Sequence, residues 1–367
     1  MLMACTAANQ QQPLVLTYSM EGLLVYSARL ESVSAVEHSD EPPALEIRLS
    51  PDPIARFLND DNVSAIAVVS GDTILSLVPN SRDTAILDIV TQASVPGPQL
   101  RDPKFYPVML PVGDDTVIVM DTVLRGGGGS CCFEALRRDP TGSWRADPLP
   151  NPPSVADAEH LSTEEEEDDD DDDDCHVGLP AVSAYFVLGA RVWISIIGCD
   201  IGTCTYSLDT ECGTWRKEGS WAVPLRGQSL YVPELDLVFG FSNLPLVGCS
   251  NYNKRCHHLC ALDVEARPPV VRHMWEFSAE TKEEVPARET VRLAHLGNGR
   301  FCIARPVNVE RSAWVSAWCN GKGTCFTLVD VTRYPGLDGE LELARRGKPH
   351  THQWGWPYDQ DGHVDFL

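Results

Sequence analysis

The chain has 367 residues and a formal charge of −24, from 29 basic and 53 acidic side chains. With 43% hydrophobic and 22% charged residues, its composition is that of a globular protein and excludes a disordered or collagen-like chain. The acidic excess and the lack of a basic stripe exclude sequence-independent binding to the phosphate backbone of a nucleic acid. No apolar run approaches the roughly 20 residues of a membrane-spanning helix, so we expect neither a nucleic acid nor a membrane as partner.

The N-terminal segment, residues 1–12, has neither a basic start nor a sustained apolar core. It therefore predicts a disordered tail and not a signal peptide. The 13 cysteines are an odd number spread along the whole chain. Without an export signal, this pattern favours free thiols in a reducing compartment, the cytosol or the nucleus.

A recurring unit organises the chain from residue 13 onward. It consists of an apolar strand, a tight turn, a second apolar strand, and a third strand that ends near an aspartate. The turns lie near residues 71, 113, 189, 234 and 297, and the third strands include residues 86–88, 133–136, 206–209, 259–263 and 326–330. The turns are therefore about 42, 76, 45 and 63 residues apart, and subtracting roughly 30 residues for an acidic insertion brings the second spacing near 46.

This spacing predicts a β-propeller, because blades of four antiparallel strands repeat at about 40–50 residues. Apolar strands on both sides of Glu21 and Gly22, together with strands near the C-terminus, supply a further blade. We expect an all-β chain with one closed propeller domain at residues 13–367, of six blades or alternatively seven. The N- and C-terminal strands are expected to share the closing blade, which would remove exposed sheet edges.

Glycines and aromatics in one unit follow the order found in kelch blades. Residues 126–129 are four glycines, and Phe133 and Trp144 follow them. Tyr206 and Trp215 have the same order without a double glycine. This order predicts a kelch-like propeller in which the tryptophan packs between neighbouring blades.

Several stretches resemble a known family. They are residues 205–210 (TYSLDT), 213–215 (GTW), 230–240 (LYVPELDLVFG), 297–303 (GNGRFCI) and 328–331 (LVDV). Together they are similar to a grass-expanded plant family catalogued as domain of unknown function 1668, which is kelch-like in fold. The resemblance implies a β-propeller and a plant source, and it implies no catalytic or ligand residues. The chain departs from the family pattern at residues 245–258 and 311–323.

Residues 164–174 are eleven consecutive carboxylates. Such a run repels itself and stays solvated, so we expect a disordered loop between blades at about residues 150–178. The run could dock a basic partner or bind divalent cations weakly. We favour a tolerated surface insertion, because lengthening an already long loop costs little stability.

Cysteines and histidines cluster in one insertion and form the best metal candidate. The cluster contains Cys249, Cys256, His257, His258 and Cys260. Zinc prefers such ligands in tetrahedral geometry, but the paired Cys-x2-Cys spacing is missing and Cys260 lies in an apolar run typical of a core strand. Chance clustering is the preferred interpretation. Cys199 and Cys204, which bracket a turn, are likewise expected to be free thiols.

Near the C-terminus, His350 and His352 are predicted to lie on one side of an extended strand. They could bind a metal, but no third ligand can be nominated. Trp354, Trp356 and Tyr358 could form an aromatic binding platform. Packing of the closing blade is the preferred interpretation.

No catalytic or cofactor motif is present. There is no Gly-x-Ser-x-Gly or His-Glu-x-x-His motif, and residues 321–324 (GKGT) lack the upstream glycine of a phosphate loop and are predicted to be a turn. We therefore assign no catalytic, cofactor-binding or metal residues and expect no cofactor. The expected function is a non-catalytic, monomeric module that presents propeller loops to a protein partner. The alternatives are an enzyme with its site in the central channel and a small-molecule or glycan binder.

Overall fold

The computed structural model describes residues 3–4, 14–19, 22–33, 44–57, 65–69, 72–78, 80–125, 130–156, 179–198, 202–242, 257–277, 284–286, 291–309, 321–334 and 340–353. Within these ranges the chain is almost entirely β, with 27 strands and one short helix, α1 (Pro153–Ala156). No helix in the described part is long and apolar enough to cross a membrane.

The first three sheets follow one another along the chain. The first contains β1 (Met3–Ala4), β2 (Leu14–Ser19), β3 (Gly22–Val33), β4 (Ala44–Leu49) and β5 (Ala55–Phe57). The second contains β6 (Ala65–Val69), β7 (Thr73–Leu77), β8 (Thr84–Asp88) and β9 (Ala93–Pro96). The third contains β10 (Pro107–Val112), β11 (Thr116–Asp121), β12 (Phe133–Arg138) and β13 (Trp144–Leu149). The second and third are meanders of four antiparallel strands.

An eight-stranded sheet follows, built from two meanders of four strands. Its first half contains β14 (Ala181–Leu188), β15 (Arg191–Gly198), β16 (Gly202–Asp209) and β17 (Thr214–Gly219). Its second half contains β18 (Leu225–Val232), β19 (Leu237–Ser242), β20 (His257–Asp263) and β21 (Val270–Phe277). The halves join where the first strands of the two meanders, β14 and β18, pair in parallel.

The C-terminal sheet completes the fold. It contains β22 (Glu284–Pro286), β23 (Arg292–His295), β24 (Arg300–Val309), β25 (Gly321–Arg333), β26 (Leu341–Arg345) and β27 (His350–Gln353). The predicted turn at residues 321–324 is wrong, since these residues begin β25. They pair with residues 306–309 of β24, which continues the ladder past the point expected from the sequence.

Strand position explains the hydrophobic patterns. All five residues of β6, the first strand of its meander, are buried, because sheets cover both of its faces. In β21, the last strand of its meander, exposed and half-buried residues alternate. This is the pattern of a strand at a solvated sheet edge.

Six apolar clusters lie between successive sheets or half-sheets. Each combines side chains from two of them, represented by Leu23 with Ile66, Leu75 with Val117, Ile118 with Ile194, Phe186 with Leu262, Phe239 with Phe301, and Phe326 with Ile47. The last of these clusters joins the C-terminal sheet to the first sheet. There the amide of Leu45 also donates a 3.0 Å hydrogen bond to the carbonyl of Arg346. The all-β, propeller-like arrangement predicted from the repeats is therefore confirmed.

The prediction that the N- and C-terminal strands share one blade is wrong for the described residues. The N-terminal strands pair within the first sheet, and β26 and β27 both pair with β25. The reason is strand length: β3 has 12 residues and pairs with both β4 and β5, and β25 has 13 residues and pairs with both β26 and β27. Each end of the chain thus completes its own sheet. In addition, Met3 and Ala4 of the predicted tail pair with Val15 and Leu14, whereas the acidic run and glycines 126–129 lie outside the described residues.

The aspartates at the ends of the third strands explain part of the repeat. In four turns the carboxylate accepts hydrogen bonds from backbone amides that follow it, at Asp88, Asp139, Asp209 and Asp263. The turn to the fourth strand is thereby fixed in each meander. Hydrogen bonds lower the pKa of all four carboxyl groups, chiefly from backbone amides at Asp88 and Asp209 and from the side chains of Thr141 and Arg272 at the other two.

A buried ion pair fixes the connection between the second and third sheets. Lys104 and Glu134 are only 1% and 0% exposed, and Lys104 Nζ lies 2.6 Å from Glu134 Oε1. Lys104 also donates to the carbonyls of Asp102 and Cys131, and Glu134 accepts the amide of Arg101. Both charges are therefore fully paired and hydrogen-bonded inside the protein, as buried charges require.

Candidate functional site

The candidate metal cluster does not form a ligand set in the described residues. Cys249 and Cys256 lie outside them, and His257 and His258 begin β20. Cys260 is fully buried in the apolar cluster between the halves of the eight-stranded sheet, and burial raises the pKa of its thiol to about 11. A protonated core thiol is a poor zinc ligand. Across the described part of the chain, no three His, Cys, Asp or Glu side chains lie close enough together to hold a metal ion.

The two C-terminal histidines lie on strand β27, as the sequence predicted. His350 and His352 pair with Phe326 and Thr324 of β25, and they point to the same face because they are two residues apart. The His352 ring lies 6.3 Å from the ring of Tyr26, so the pair faces the first sheet. Burial and the neighbouring His350 lower the pKa of His352. Trp354, Trp356 and Tyr358 lie outside the described residues.

A polar cleft lies between the second half of the eight-stranded sheet and the C-terminal sheet. It has a volume of about 540 Å³ and is lined by Leu235, Asp236, Leu237, Asp263, Glu265, Arg272, His273, Arg333 and Glu340. These residues come from the β18–β19 turn, the β20–β21 hairpin, and the ends of β25 and β26. Two connections between strands of one sheet and two strand ends of the other therefore form the walls.

Two of the four carboxylates in the cleft are bound by neighbouring side chains. Arg272 donates to Asp263 Oδ2 from Nε at 3.1 Å and from Nη2 at 2.5 Å. These hydrogen bonds lower the pKa of Asp263 more than its partial burial raises it. The Tyr231 hydroxyl donates to Asp236 Oδ1 at 2.7 Å, which raises the pKa of the Tyr231 phenol.

The other two carboxylates form no ion pair with any described residue. Glu265 and Glu340 are both exposed to solvent. Arg333 is hydrogen-bonded to the cleft wall, because its Nη2 donates to the carbonyl of Leu235 at 2.9 Å. The four carboxylates and two guanidinium groups leave the cleft with an excess of negative charge.

Hydrogen bonds between the two sheets hold the cleft wall in place. Glu234 Oε1 lies 2.8 Å from His295 Nε2 and accepts the amide of Gly299 at 3.0 Å. Partial burial raises the pKa of Glu234, but hydrogen bonds from the backbone and from His295 lower this pKa by more, so the net shift is downward. The β18–β19 turn is thus tied to the β23–β24 turn, and the cleft has a preformed floor.

An exposed apolar side chain lies beside the cleft. Val270 is 44% exposed and pairs with the cleft residue Asp263, so the two side chains lie on the same side of the sheet. Met274 is 39% exposed but lies on the opposite side, because a bulge shifts the register near Arg272 and Met274 pairs with Cys260 of the cluster between the half-sheets. The cleft therefore has two carboxylates without an ionic partner among the described residues and an exposed apolar side chain next to them.

A sequence model of one protein family, described as "Protein of unknown function (DUF1668)", matches residues 13–349. The chain belongs to this family. The DUF1668 match includes every residue that lines the cleft. No curated protein matches the chain.

Solved structures similar to this DUF1668 chain share little sequence with it. Hydrazine synthase from Kuenenia stuttgartiensis is 10% identical with a TM-score of 0.39, and the match covers 77% of this chain but only 65% of that one. The periplasmic gluconolactonase PpgL of Pseudomonas aeruginosa is 11% identical with a TM-score of 0.43, over 93% of this chain and 98% of the enzyme. A putative TolB from Agrobacterium tumefaciens is 10% identical with a TM-score of 0.39, over 85% and 95% of the two chains.

The sequence did not point to the cleft of this DUF1668 chain. Its walls come from positions as far apart as Leu235 and Glu340, and no motif links them. One available signal was the aspartate that ends the third strand. Asp263 carries that signal, and the acidic Glu265 follows it in the same turn. The same pattern, Glu211 after Asp209, occurs in a turn that does not line the cleft, so this signal alone does not identify the site.

Proposed function

We propose that this protein is a binding module that recognises a protein partner through the polar cleft. The observation that supports the proposal is a preformed cleft that contains two carboxylates without an ionic partner among the described residues, Glu265 and Glu340, beside the exposed side chain of Val270. Turns on a rigid sheet scaffold are common sites of recognition, because they vary without disturbing the core. Aromatic and aliphatic anchors with a charged periphery are typical of protein interfaces.

The proposed scaffold is a single closed ring of six blades at residues 13–367. The two halves of the eight-stranded sheet would be separate blades whose first strands pair near the axis. Six inter-sheet clusters, the last of which joins the C-terminal sheet to the first, support this arrangement. A kelch-like character is supported by Trp215, whose ring lies 5.1 Å from that of Phe133 in the preceding sheet.

We also propose a reducing compartment, the cytosol or the nucleus, for a monomeric propeller from a plant. The seven described cysteines are free thiols, and six of them are buried: Cys131, Cys132, Cys204, Cys260, Cys302 and Cys325. A protein partner, and neither a nucleic acid nor a membrane, suits the net charge of −24.

A steric block tests whether the cleft binds a protein. Val270→Trp adds bulk beside the cleft without changing charge, and Val90→Trp is the matched control because Val90 is 77% exposed on the second sheet. We expect a protein captured from source tissue to bind the wild type and Val90→Trp and to be lost with Val270→Trp. The captured protein is then purified and titrated against all three. Equal affinity for the wild type and Val270→Trp would refute the proposal.

A second candidate is a site for a small anion near the axis, which would suit a small-molecule binder or a channel enzyme. Arg292 on β23 forms a hydrogen bond with the buried Tyr185 on β14. The two strands are separated in the chain by the whole second half of the eight-stranded sheet, so this contact brings distant segments together. Arg292 Nε is buried and has no acceptor among the described residues. Thermal shift with phosphate or citrate tests it: stabilisation should disappear in Arg292→Met and remain in Arg216→Met, whose side chain is 60% exposed.

A further inference from the structure

We infer that the partner segment bound by the polar cleft is an extended stretch carrying two basic side chains next to an apolar one. This inference rests on the proposed function and specifies the chemistry of the partner. It starts from the charges that the cleft leaves unneutralised and from the exposed Val270 beside them.

The internal cations of the cleft are already engaged. Arg272 binds Asp263 through two hydrogen bonds, and Arg333 Nη2 donates to the carbonyl of Leu235. Neither guanidinium contacts Glu265 or Glu340. These two carboxylates are thus available to basic side chains from another molecule, and Asp236 adds a third negative charge beside them.

An acidic partner would meet repulsion at this site. The cleft contains four carboxylates and two guanidinium groups, and the whole chain carries −24. Like charges placed together at an interface disfavour wrong partners, whereas opposite charges speed association and select the right one. Charge complementarity therefore selects a basic partner.

Val270 indicates how such a segment would lie. It is 44% exposed and pairs with Asp263, so it lies on the cleft side of β21. Beyond β21 no further strand of its sheet follows among the described residues. An extended segment along this edge can place an apolar side chain against Val270 while its basic side chains reach the carboxylates.

Labelled synthetic peptides test the inference with the full-length protein. Three octapeptides differ only at two positions, which are both arginine, both glutamine or both glutamate, with a valine between them. Fluorescence anisotropy at low salt measures each affinity. We expect the arginine peptide to bind most tightly and the glutamate peptide not to bind.

Charge-neutral variants locate that binding. Glu265→Gln and Glu340→Gln should each weaken the arginine peptide about threefold, and the double variant about tenfold, as exposed ion pairs do. The matched control is Glu211→Gln with Glu276→Gln. Glu211 has the same position after Asp209 that Glu265 has after Asp263, and Glu276 is exposed on β21 away from the cleft. All variants keep the acidic run, so its attraction for basic peptides is constant.

Equal weakening by the control pair, or equal binding of the arginine and glutamine peptides, would overturn the inference. The proposed function can still stand in that case. A natural partner that is lost with Val270→Trp but binds the glutamine double variant with wild-type affinity would show that the cleft binds protein without selecting basic side chains.

Discussion

Two charged regions of the molecule lie between sheets and use their charges in opposite ways. The pair of Lys104 and Glu134 is closed off from water, and it hydrogen-bonds to the amide of Arg101 and to the carbonyls of Asp102 and Cys131. The polar cleft is open, and Glu265 and Glu340 there have no ionic partner among the described residues. A buried pair must be complete to be tolerated. An exposed carboxylate costs little when unpaired, so it can be kept for a partner. The comparison separates charges that hold the fold from charges that can recognise another molecule.

A substitution in the buried pair of Lys104 and Glu134 should reduce stability more than a substitution in the cleft. Lys104→Met removes the cation and leaves Glu134 buried without its counter-ion, which we expect to lower the free energy of unfolding by about 3–5 kcal/mol. Urea denaturation measures the effect. Arg145→Met is the control, since Arg145 pairs with Asp147 at 67% exposure and should cost under about 1 kcal/mol. Equal effects of the two variants would break the comparison.

The wall of the cleft should be next in sensitivity. Gly299 has φ +68°, and a Cβ there would lie 2.3 Å from the carbonyl oxygen of Val331. We expect Gly299→Ala to cost about 2–3 kcal/mol, through strain and through displacement of the turn. Gly113 has φ +65° with open space around it, so Gly113→Ala isolates the strain alone, about 1 kcal/mol. A Gly299→Ala variant as stable as Gly113→Ala would show that the wall yields easily.

Lowering the pH should destabilise the protein at the polar cleft by protonating its carboxylates. The pKa of Asp263 and that of Glu234 are lowered in the folded protein. Their stabilising contribution is therefore present above the unfolded-state pKa values, about 4, and is lost as the pH falls through the folded-state values. Asp263→Asn should cost about 1 kcal/mol at pH 7 and much less at pH 3. Thermal melts at both pH values measure this, and a cost independent of pH would argue against a charged role for Asp263.

Deleting residues 157–175 should have the smallest effect. This segment contains the eleven consecutive carboxylates, which cannot enter a core without partners. We expect a melting temperature within about 1 °C of the wild type. Calorimetry measures it, and a fall of many degrees would mean that the segment docks on the folded sheets.

The all-β, propeller-like arrangement was predictable from the sequence because its signals are local. Apolar runs such as β6, turns such as that at Gly189, and the aspartates that end the third strands all act within a few residues. Strand partners at the chain ends were not predictable, since the choice depended on how far β3 and β25 extend. The cleft was not predictable either. It depends on how two sheets bring turns together, and the sequence does not show whether a glutamate forms an ion pair in the folded protein.

The parallel pairing of β14 with β18 also affects how the molecule unfolds locally. Through the pairs Ala184 with Gly227 and Tyr185 with Gln228, the two meanders share one hydrogen-bond ladder, whereas other neighbouring sheets are joined by isolated backbone bonds, such as the Val123–Ala181 bridge and the bond from Leu45 to Arg346. Backbone hydrogen bonds shared by two units must break together when either unit opens. We therefore expect the eight strands to form one cooperative unit in local unfolding, so the cleft wall that this unit supplies should open only with all eight strands.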